Sequence, residues 1–433
     1  MLGRRRPAFL LPTAPAVALV ACILHNAPPG QDAAPSVVPY KASGIYTLGE
    51  RAGWTITDPT GAYRFTVKRD NAETIASGDF DLASGTAKVE VAGDRPEMLT
   101  MELTPRAGGK PTTYGAAVAP TGLKPVLPKP ADFDAFWKRQ VDDLRRIPMN
   151  PNLTPGESYK PEVEYSTIRM DGPHGTGVYG ALAKPKAPGK YPAIAVFQWA
   201  SPPYPLQKPW SIEPASKGFI VLNVEPHDVL PNEPPAYYAA LPETLKNYSA
   251  VGRDDRERSA FVDMYLRDVR ALDYLRSRPD WDGRTLVVMG GSMGGQQSLA
   301  AAGLVPQVTH LIVEEPAGCD LAAGLHGRQE GYPFFPTNDP KTMEAARYVD
   351  AVNFAPKIKA TSLVAMGFVD NVAPPTGIWT AFNEIRAPKE AAPMRDAPHN
   401  NLATREQLMP IITRREDWLN ALAKTGKVEV RKP

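Results

Sequence analysis

Cysteine is almost missing from this 433-residue chain: Cys22 and Cys319 are its two, and the first lies in an N-terminal segment with the marks of a processed leader. A disulfide framework in the mature protein is therefore not expected. Histidine is scarce as well, six residues widely scattered, and neither H-E-x-x-H nor a Cys/His cluster occurs. The local spacing of a zinc hydrolase is absent, and no metal or organic cofactor is expected. A strong charge of either sign is also lacking: 49 Lys and Arg stand against 47 Asp and Glu, a formal +2, and nothing in that balance calls for a nucleic-acid partner. The length suffices for two domains, or for one large sheet domain with an appendage.

Residues 1–31 read as an export segment and linker. Arg4 to Arg6 form a basic start, and Ala8 through Ile23 are mainly apolar, but the stretch is short and carries Pro12 and Pro15, as a signal peptide does and a membrane span does not. Leu19-Val20-Ala21-Cys22 resembles a lipoprotein processing box, which would leave Cys22 as a lipidated N-terminus. The alternatives are cleavage near Ala27 or Ala34, or an uncleaved anchor. The expected location is the periplasm, a membrane surface or the exterior.

From 38 to 121 short polar–apolar alternations recur, as in Tyr63-Arg64-Phe65-Thr66-Val67 and Ala87-Lys88-Val89-Glu90-Val91, separated by Gly and Asp/Asn turns. This pattern predicts a small antiparallel β-sandwich. Trp54, Tyr63 and Tyr114 offer ring faces for sugars, yet aromatics in strands serve more often as core, so a packing or oligomerisation role is preferred. A proline-rich junction, Gly122 to Pro130, leads into an α/β region spanning 128–433. There Phe133, Phe136, Trp137, Val141 and Leu144 mark one apolar helix stripe, and Phe261, Tyr265, Val269, Leu272 and Leu275 another. Tyr191 to Phe197, Gly218 to Val224 and Ser362 to Val369 read as buried strands of a mostly parallel sheet.

The organising stretch is Leu286-Val287-Val288-Met289-Gly290-Gly291-Ser292-Met293-Gly294-Gly295, a strand, a turn and the start of an alanine-rich helix. Gly290, Ser292 and Gly294 satisfy G-x-S-x-G, the nucleophile elbow, in which a serine sits on a strained strand-to-helix turn with its oxygen above the sheet. Small neighbours are required because strand and helix backbones meet there. A nucleophilic serine needs a base, and the base needs an orienting acid. Asp370 follows the strand ending at Val369, and His399 is the last histidine, so Ser292, Asp370 and His399 stand in the chain order of an α/β-hydrolase triad. Glu314 and Glu315 are alternative acids at another strand end; His174 reads as a turn residue and His310 as packing. An oxyanion hole needs two donors: the Met293 N–H is one candidate, and the N–H of Gln198 or of Trp199 the other. The loop Glu225-Pro226-His227-Asp228 follows a strand that ends at the same sheet edge, so Glu225, His227 and Asp228 are candidate pocket residues, with a structural loop role for His227 as the alternative.

The chain from about Pro128 onward resembles the acetyl xylan esterase and cephalosporin-C deacetylase family of the α/β-hydrolases. The resemblance rests on Pro130-Ala131-Asp132-Phe133-Asp134-Ala135-Phe136-Trp137, on Tyr265-Leu266-Arg267-Asp268-Val269-Arg270-Ala271-Leu272, on the elbow, and on Gly367-Phe368-Val369-Asp370-Asn371-Val372-Ala373-Pro374-Pro375. It implies Ser292 as nucleophile, Asp370 as acid, His399 as base, metal-independent deacetylation of small or oligomeric sugars, and a symmetric homo-oligomer. The chain departs from the family pattern at four places. Glu225-Pro226-His227-Asp228 replaces an Arg-Gly-Gln element, Met293 replaces the Gln after the serine, Gln198-Trp199-Ala200 replaces a Tyr-bearing oxyanion loop, and His399-Asn400 replaces a His-Glu ending. The expected function is that of an exported serine carboxylesterase deacetylating carbohydrate. The alternatives are hydrolysis of another ester or amide, or a catalytically inactive binding protein on this fold.

Overall fold

Alternating strands and helices with apolar strand runs can bury both faces of a sheet only by covering each with helices, and the chain does so. The computed structural model describes residues 35–58, 61–82, 85–201 and 206–431; the N-terminal segment with Cys22, expected to be a leader, and Pro202 and Pro203 of the loop after Phe197, lie outside them. Among the described residues a nine-stranded sheet runs, edge to edge, through Lys389–Met394, Thr361–Gly367, His310–Glu314, Trp281–Gly291, Tyr191–Phe197, Ile220–Val224, Gly177–Pro185, Val163–Asp171 and Asn152–Gly156. The first six are mutually parallel and the last three antiparallel. The chain lays down Tyr191–Phe197, moves outward to Ile220–Val224, then returns to place Trp281–Gly291 on the other side of Tyr191–Phe197. Strand order reverses between these two neighbours, so the loops leaving their carboxyl ends face one another across a crevice, the usual ligand site of an open α/β sheet.

One face is covered by helices Phe133–Arg146, Ala260–Ser277, Met293–Leu304 and Pro375–Glu384, and the other by Lys208–Ser216 and Arg405–Thr425. The five stripe residues of Phe133–Arg146 are all buried. Ala260–Ser277 is buried nearly all round, beyond the face its apolar periodicity predicts: Arg270 donates to the carbonyls of Leu144 and Ile147 at 2.7 and 3.0 Å, and Arg267 to the Thr176 hydroxyl at 3.1 Å. These two arginines can sit inside because those donors end on acceptors of neighbouring segments. Trp137 is fully buried, its indole N–H donates to the Tyr348 carbonyl at 2.9 Å, and its ring packs against Phe136 and Phe354 at 5.4 and 5.3 Å between centroids. Trp137→Ala removes that packing and leaves a carbonyl unpartnered. It is expected to cost about 3–5 kcal/mol of stability, read as a shift in the denaturant midpoint.

Ahead of the junction, a three-stranded sheet (Ser36–Pro39, Arg51–Thr57, Thr86–Ala92) and a five-stranded one (Ile45–Tyr46, Thr112–Val118, Glu97–Pro105, Ala62–Arg69, Glu73–Asp81) share one core among the described residues. Trp54, Ile56, Val89 and Val91 from the first meet Val67, Leu99, Met101 and Val118 from the second. Trp54 and Tyr63 belong to that core and are buried, so neither presents a face to a sugar; Tyr114 is half-buried.

The sandwich is not a free appendage. A Cβ on Gly115 would lie 2.4 Å from Phe368 Cβ, Arg395 donates to the Ala42 carbonyl at 2.8 Å, and Thr376 donates to Asp70 at 3.2 Å. The Asp70 carbonyl accepts from the Gln329 N–H at 3.0 Å, and Gln329 in turn donates to the Asn371 carbonyl at 2.7 Å.

Candidate active site

The elbow is shaped by close approach. Ser292 has φ 53° and ψ −119° and caps the helix that starts at Met293. The left-handed residue is thus the serine itself, and the flanking glycines serve contact. A Cβ on Gly294 would lie 2.1 Å from the Phe197 carbonyl oxygen, and one on Gly290 2.5 Å from the carbonyl carbon of Gly294. The strained turn is held by backbone bonds. The Ser292 N–H donates to the Glu314 carbonyl at 2.9 Å, while the Ser292 carbonyl accepts from Gly295, Gln296 and Ala317 at 3.0, 3.1 and 3.0 Å. Two buried amides, which sequence reasoning passed over, complete the support. Gln297 donates to the Gln198 carbonyl at 2.8 Å and so ties the loop after Phe197 to the elbow helix; Gln296 donates to the Tyr265 hydroxyl at 2.7 Å. Their signal was two polar residues in an otherwise small, apolar helix.

His399 Nε2 lies 2.9 Å from Ser292 Oγ, and His399 Nδ1 lies 2.7 Å from Asp370 Oδ2. The other carboxylate oxygen of Asp370 accepts from the Val372 and Ala373 N–H groups, both at 2.8 Å. A carboxylate only accepts, so Nδ1 carries the proton and Nε2 is free to accept from the serine hydroxyl. His399 and Asp370 are buried and Ser292 is half-buried. Of the alternative acids, Glu314 is turned away into an ion pair with Arg415. Glu315 Oε2 stands 3.9 Å from His399 Nδ1, beyond hydrogen-bond reach. Donor atoms of Glu315, Asp370 and His399 gather within 4.8 Å; an ion among them would have to break the 2.7 Å hydrogen bond between two of the three.

A cavity of about 720 Å³ opens over Ser292, with Gln198, Trp199, Met293, Trp210, Tyr332, His399 and Asn400 on its wall. All three candidate oxyanion residues therefore border it. Trp199 and Trp210 meet edge to face at 5.4 Å, and the Tyr332 hydroxyl is 2.7 Å from that of Tyr248. Glu225, His227 and Asp228 are not on the wall, a correction to the sequence reading; the first two lie behind it. Glu225 is fully buried and accepts from the Gln198 amide at 3.3 Å; burial pushes its carboxyl well above the usual carboxylate range. His227 Nε2 is 2.8 Å from the Ala200 carbonyl, and burial brings the imidazole down to about 4, so it stays neutral and donates there. Asp228 is exposed and accepts from the Gly177 N–H at 2.9 Å. The first two brace residues 198–200 from beneath. Two further histidines stand apart from the site: His174 pairs with Asp263 near the surface, and His310 packs at its strand start.

Comparison with known proteins agrees with this geometry. Residues 122–410 match the family model for acetyl xylan esterase. The chain is 33% identical to acetyl esterase Axe7A of Xylanibacter ruminicola over 372 residues, 82% of this chain and 84% of that one. Among solved structures, it is similar to an acetyl xylan esterase from Paenibacillus sp. R4, with TM-score 0.59 and 25% identity over 68% of this chain and 98% of that one. Acetyl xylan esterase 1 from Thermoanaerobacterium sp. JW/SL YS485 shares the fold, with TM-score 0.59 and 22% identity over 70% of this chain and 97% of that one. Matches of this extent make the chain a member of the acetyl xylan esterase family within the α/β-hydrolases, and so a serine-dependent carboxylic ester hydrolase.

Proposed function

We propose that this protein removes acetyl groups from carbohydrate through an acyl-enzyme, with Ser292 as nucleophile, His399 as base and Asp370 as orienting acid. The observation that carries the reading is the unbroken line of hydrogen bonds from Ser292 through His399 to Asp370 beneath an open cavity. His399 Nε2 takes the serine proton as Oγ attacks the ester carbonyl, and Asp370 stabilises the imidazolium that results. The tetrahedral intermediate places its charge on the former carbonyl oxygen. The Met293 N–H, at the positive end of the elbow helix, and an N–H of Gln198 or Trp199 are the donors assigned to it. The imidazolium then protonates the departing sugar oxygen, and water activated by the same histidine releases acetate.

Acetylated carbohydrate is supported as substrate by the names of the relatives, and by a cavity far larger than an acetyl group whose wall carries Trp199, Trp210 and Tyr332, faces suited to sugar rings. Export, with lipidation of Cys22, is supported by the leader and its processing box. Acetate release from acetylated xylo-oligosaccharides is expected to exceed turnover of long-chain acyl esters and of peptides. An enzyme that turns over no ester, and whose serine takes up no acyl group, would end the proposal. The anchor is checked by mass spectrometry of the N-terminal peptide from membranes of the producing cell: a diacylated Cys22 is expected, and a free N-terminus further along the chain rules it out.

A further inference from the structure

Two carboxyl groups converge on one imidazole. Glu315 directly follows strand His310–Glu314, which pairs with Thr361–Gly367, the strand that leads to Asp370. The two acids therefore come from adjacent strand ends, with Asp370 Oδ2 at 2.7 Å and Glu315 Oε2 at 3.9 Å from the same nitrogen, His399 Nδ1. Resting on the triad reading above, we propose that Glu315 is a second positioning acid, poised to take the Nδ1 hydrogen bond when Asp370 does not hold it.

A packing role accounts poorly for this residue. Glu315 is fully buried, and apart from the Asn400 N–H that faces it neither carboxyl oxygen has a hydrogen-bond partner. Its backbone holds φ 46°, uncommon for a residue with a side chain, and is pinned by a 3.0 Å bond from its N–H to the Ala365 carbonyl. Room for the carboxyl depends on Gly367, whose Cβ would lie 2.9 Å from Glu315 Oε1. An apolar side chain would fill the same space without the desolvation cost. The groups facing Glu315 are His399, the carboxylates of Asp370 and Glu314, and the Asn400 N–H, the last of which favours its charged form. Burial, then Asp370, outweigh that N–H and carry the Glu315 carboxyl to about 9, so across neutral pH Glu315 is uncharged. Removing Asp370 removes the repulsion. Glu315 is then the carboxyl left beside Nδ1, and its Oε2 needs a shift of only about 1 Å to accept from that N–H.

The test is a double-mutant cycle on kcat for acetyl ester hydrolysis, with Glu315→Gln, Asp370→Ala and both together. Glu315→Gln is expected to cost about threefold in the wild-type background but roughly 100-fold in the Asp370→Ala background, a coupling at the upper end for neighbouring groups. Equal losses in the two backgrounds overturn the proposal. So does a single Glu315→Gln loss as large as that of Asp370→Ala. Because Asp370→Ala also removes the acceptor of two backbone N–H groups, a measurement on Glu315→Gln alone accompanies the cycle. Folded Glu315 keeps its proton to about pH 9 whereas the unfolded residue releases it near 4.3, so this group's contribution to stability falls as pH rises between those values. The melting temperature of the wild type is expected to fall more steeply from pH 5 to about 9 than that of Glu315→Gln, and parallel curves overturn the proposal. Activity retained by Ser292→Ala would instead point to failure of the triad reading itself.

Discussion

Ser292→Ala is expected to lower kcat for acetyl ester hydrolysis by about 10⁴- to 10⁶-fold while leaving the protein folded. The loss is that large because the remaining groups act only through the serine: His399 has no oxygen left to deprotonate, and no acyl-enzyme can form. The residue's contribution to the turn, by contrast, is made by its backbone. The bonds to Glu314 and from Gly295, Gln296 and Ala317 all use main-chain atoms, and alanine carries the same Cβ, so the φ of 53° is no more strained than before. Rate and melting temperature measured on one preparation separate the two roles, and an intact mass taken after mixing with an activated acetate ester shows the adduct. A variant within tenfold of wild type, or an acetyl adduct undiminished by the substitution, would place the nucleophile elsewhere.

The second large effect falls on a residue with no chemistry. Gly294→Ala puts a methyl group 2.1 Å from the Phe197 carbonyl oxygen and 2.7 Å from its carbonyl carbon. Both are main-chain atoms of a central strand, so relief comes only by moving the elbow helix away from the sheet, and Met293 and Ser292 move with it. An expected cost of about 3 kcal/mol or more follows, with a fall in melting temperature of several degrees and loss of most activity. Gly291→Ala is the matched control. Its added Cβ would come no nearer than 3.2 Å, to the Asn400 side-chain nitrogen, which can rotate aside. Two glycines three residues apart in one motif are thus predicted to differ sharply in tolerance, and equal melting temperatures for the two variants would contradict the close-approach explanation.

The elbow was legible because two signals coincide there, an apolar strand run and a spacing of small residues that admits few backbones. Asp370 and His399 were legible from chain order. Side-chain direction was not. Glu225, His227 and Asp228 follow a strand that ends at the crevice, so the sequence points toward a pocket; their side chains leave in different directions and end on Gln198, Ala200 and Gly177. In the sandwich, Trp54 and Tyr63 point inward. Strand Lys389–Met394 and helix Arg405–Thr425 were obscured for a different reason. In the strand, Glu390 faces inward, which breaks the apolar pattern, and Arg414 from the helix neutralises it through two bonds at 2.5 and 2.8 Å. Pro410 within the helix masks a capping box made by Thr404 and Gln407, which remains readable in retrospect.

The family match begins at residue 122, yet the segment before it supports both arms of the catalytic line. Gly115 leaves space for Phe368, two residues before Asp370, and Ala42 anchors Arg395, four residues before His399. The Asp70 turn, acting through Gln329, secures Asn371. The boundary of the family model is therefore not a boundary in mechanics. The smallest fragment expected to retain the native alignment of acid and base begins near the first strand at Ser36, and a truncation at the junction would cut away the footing of both loops while leaving every catalytic residue in the chain.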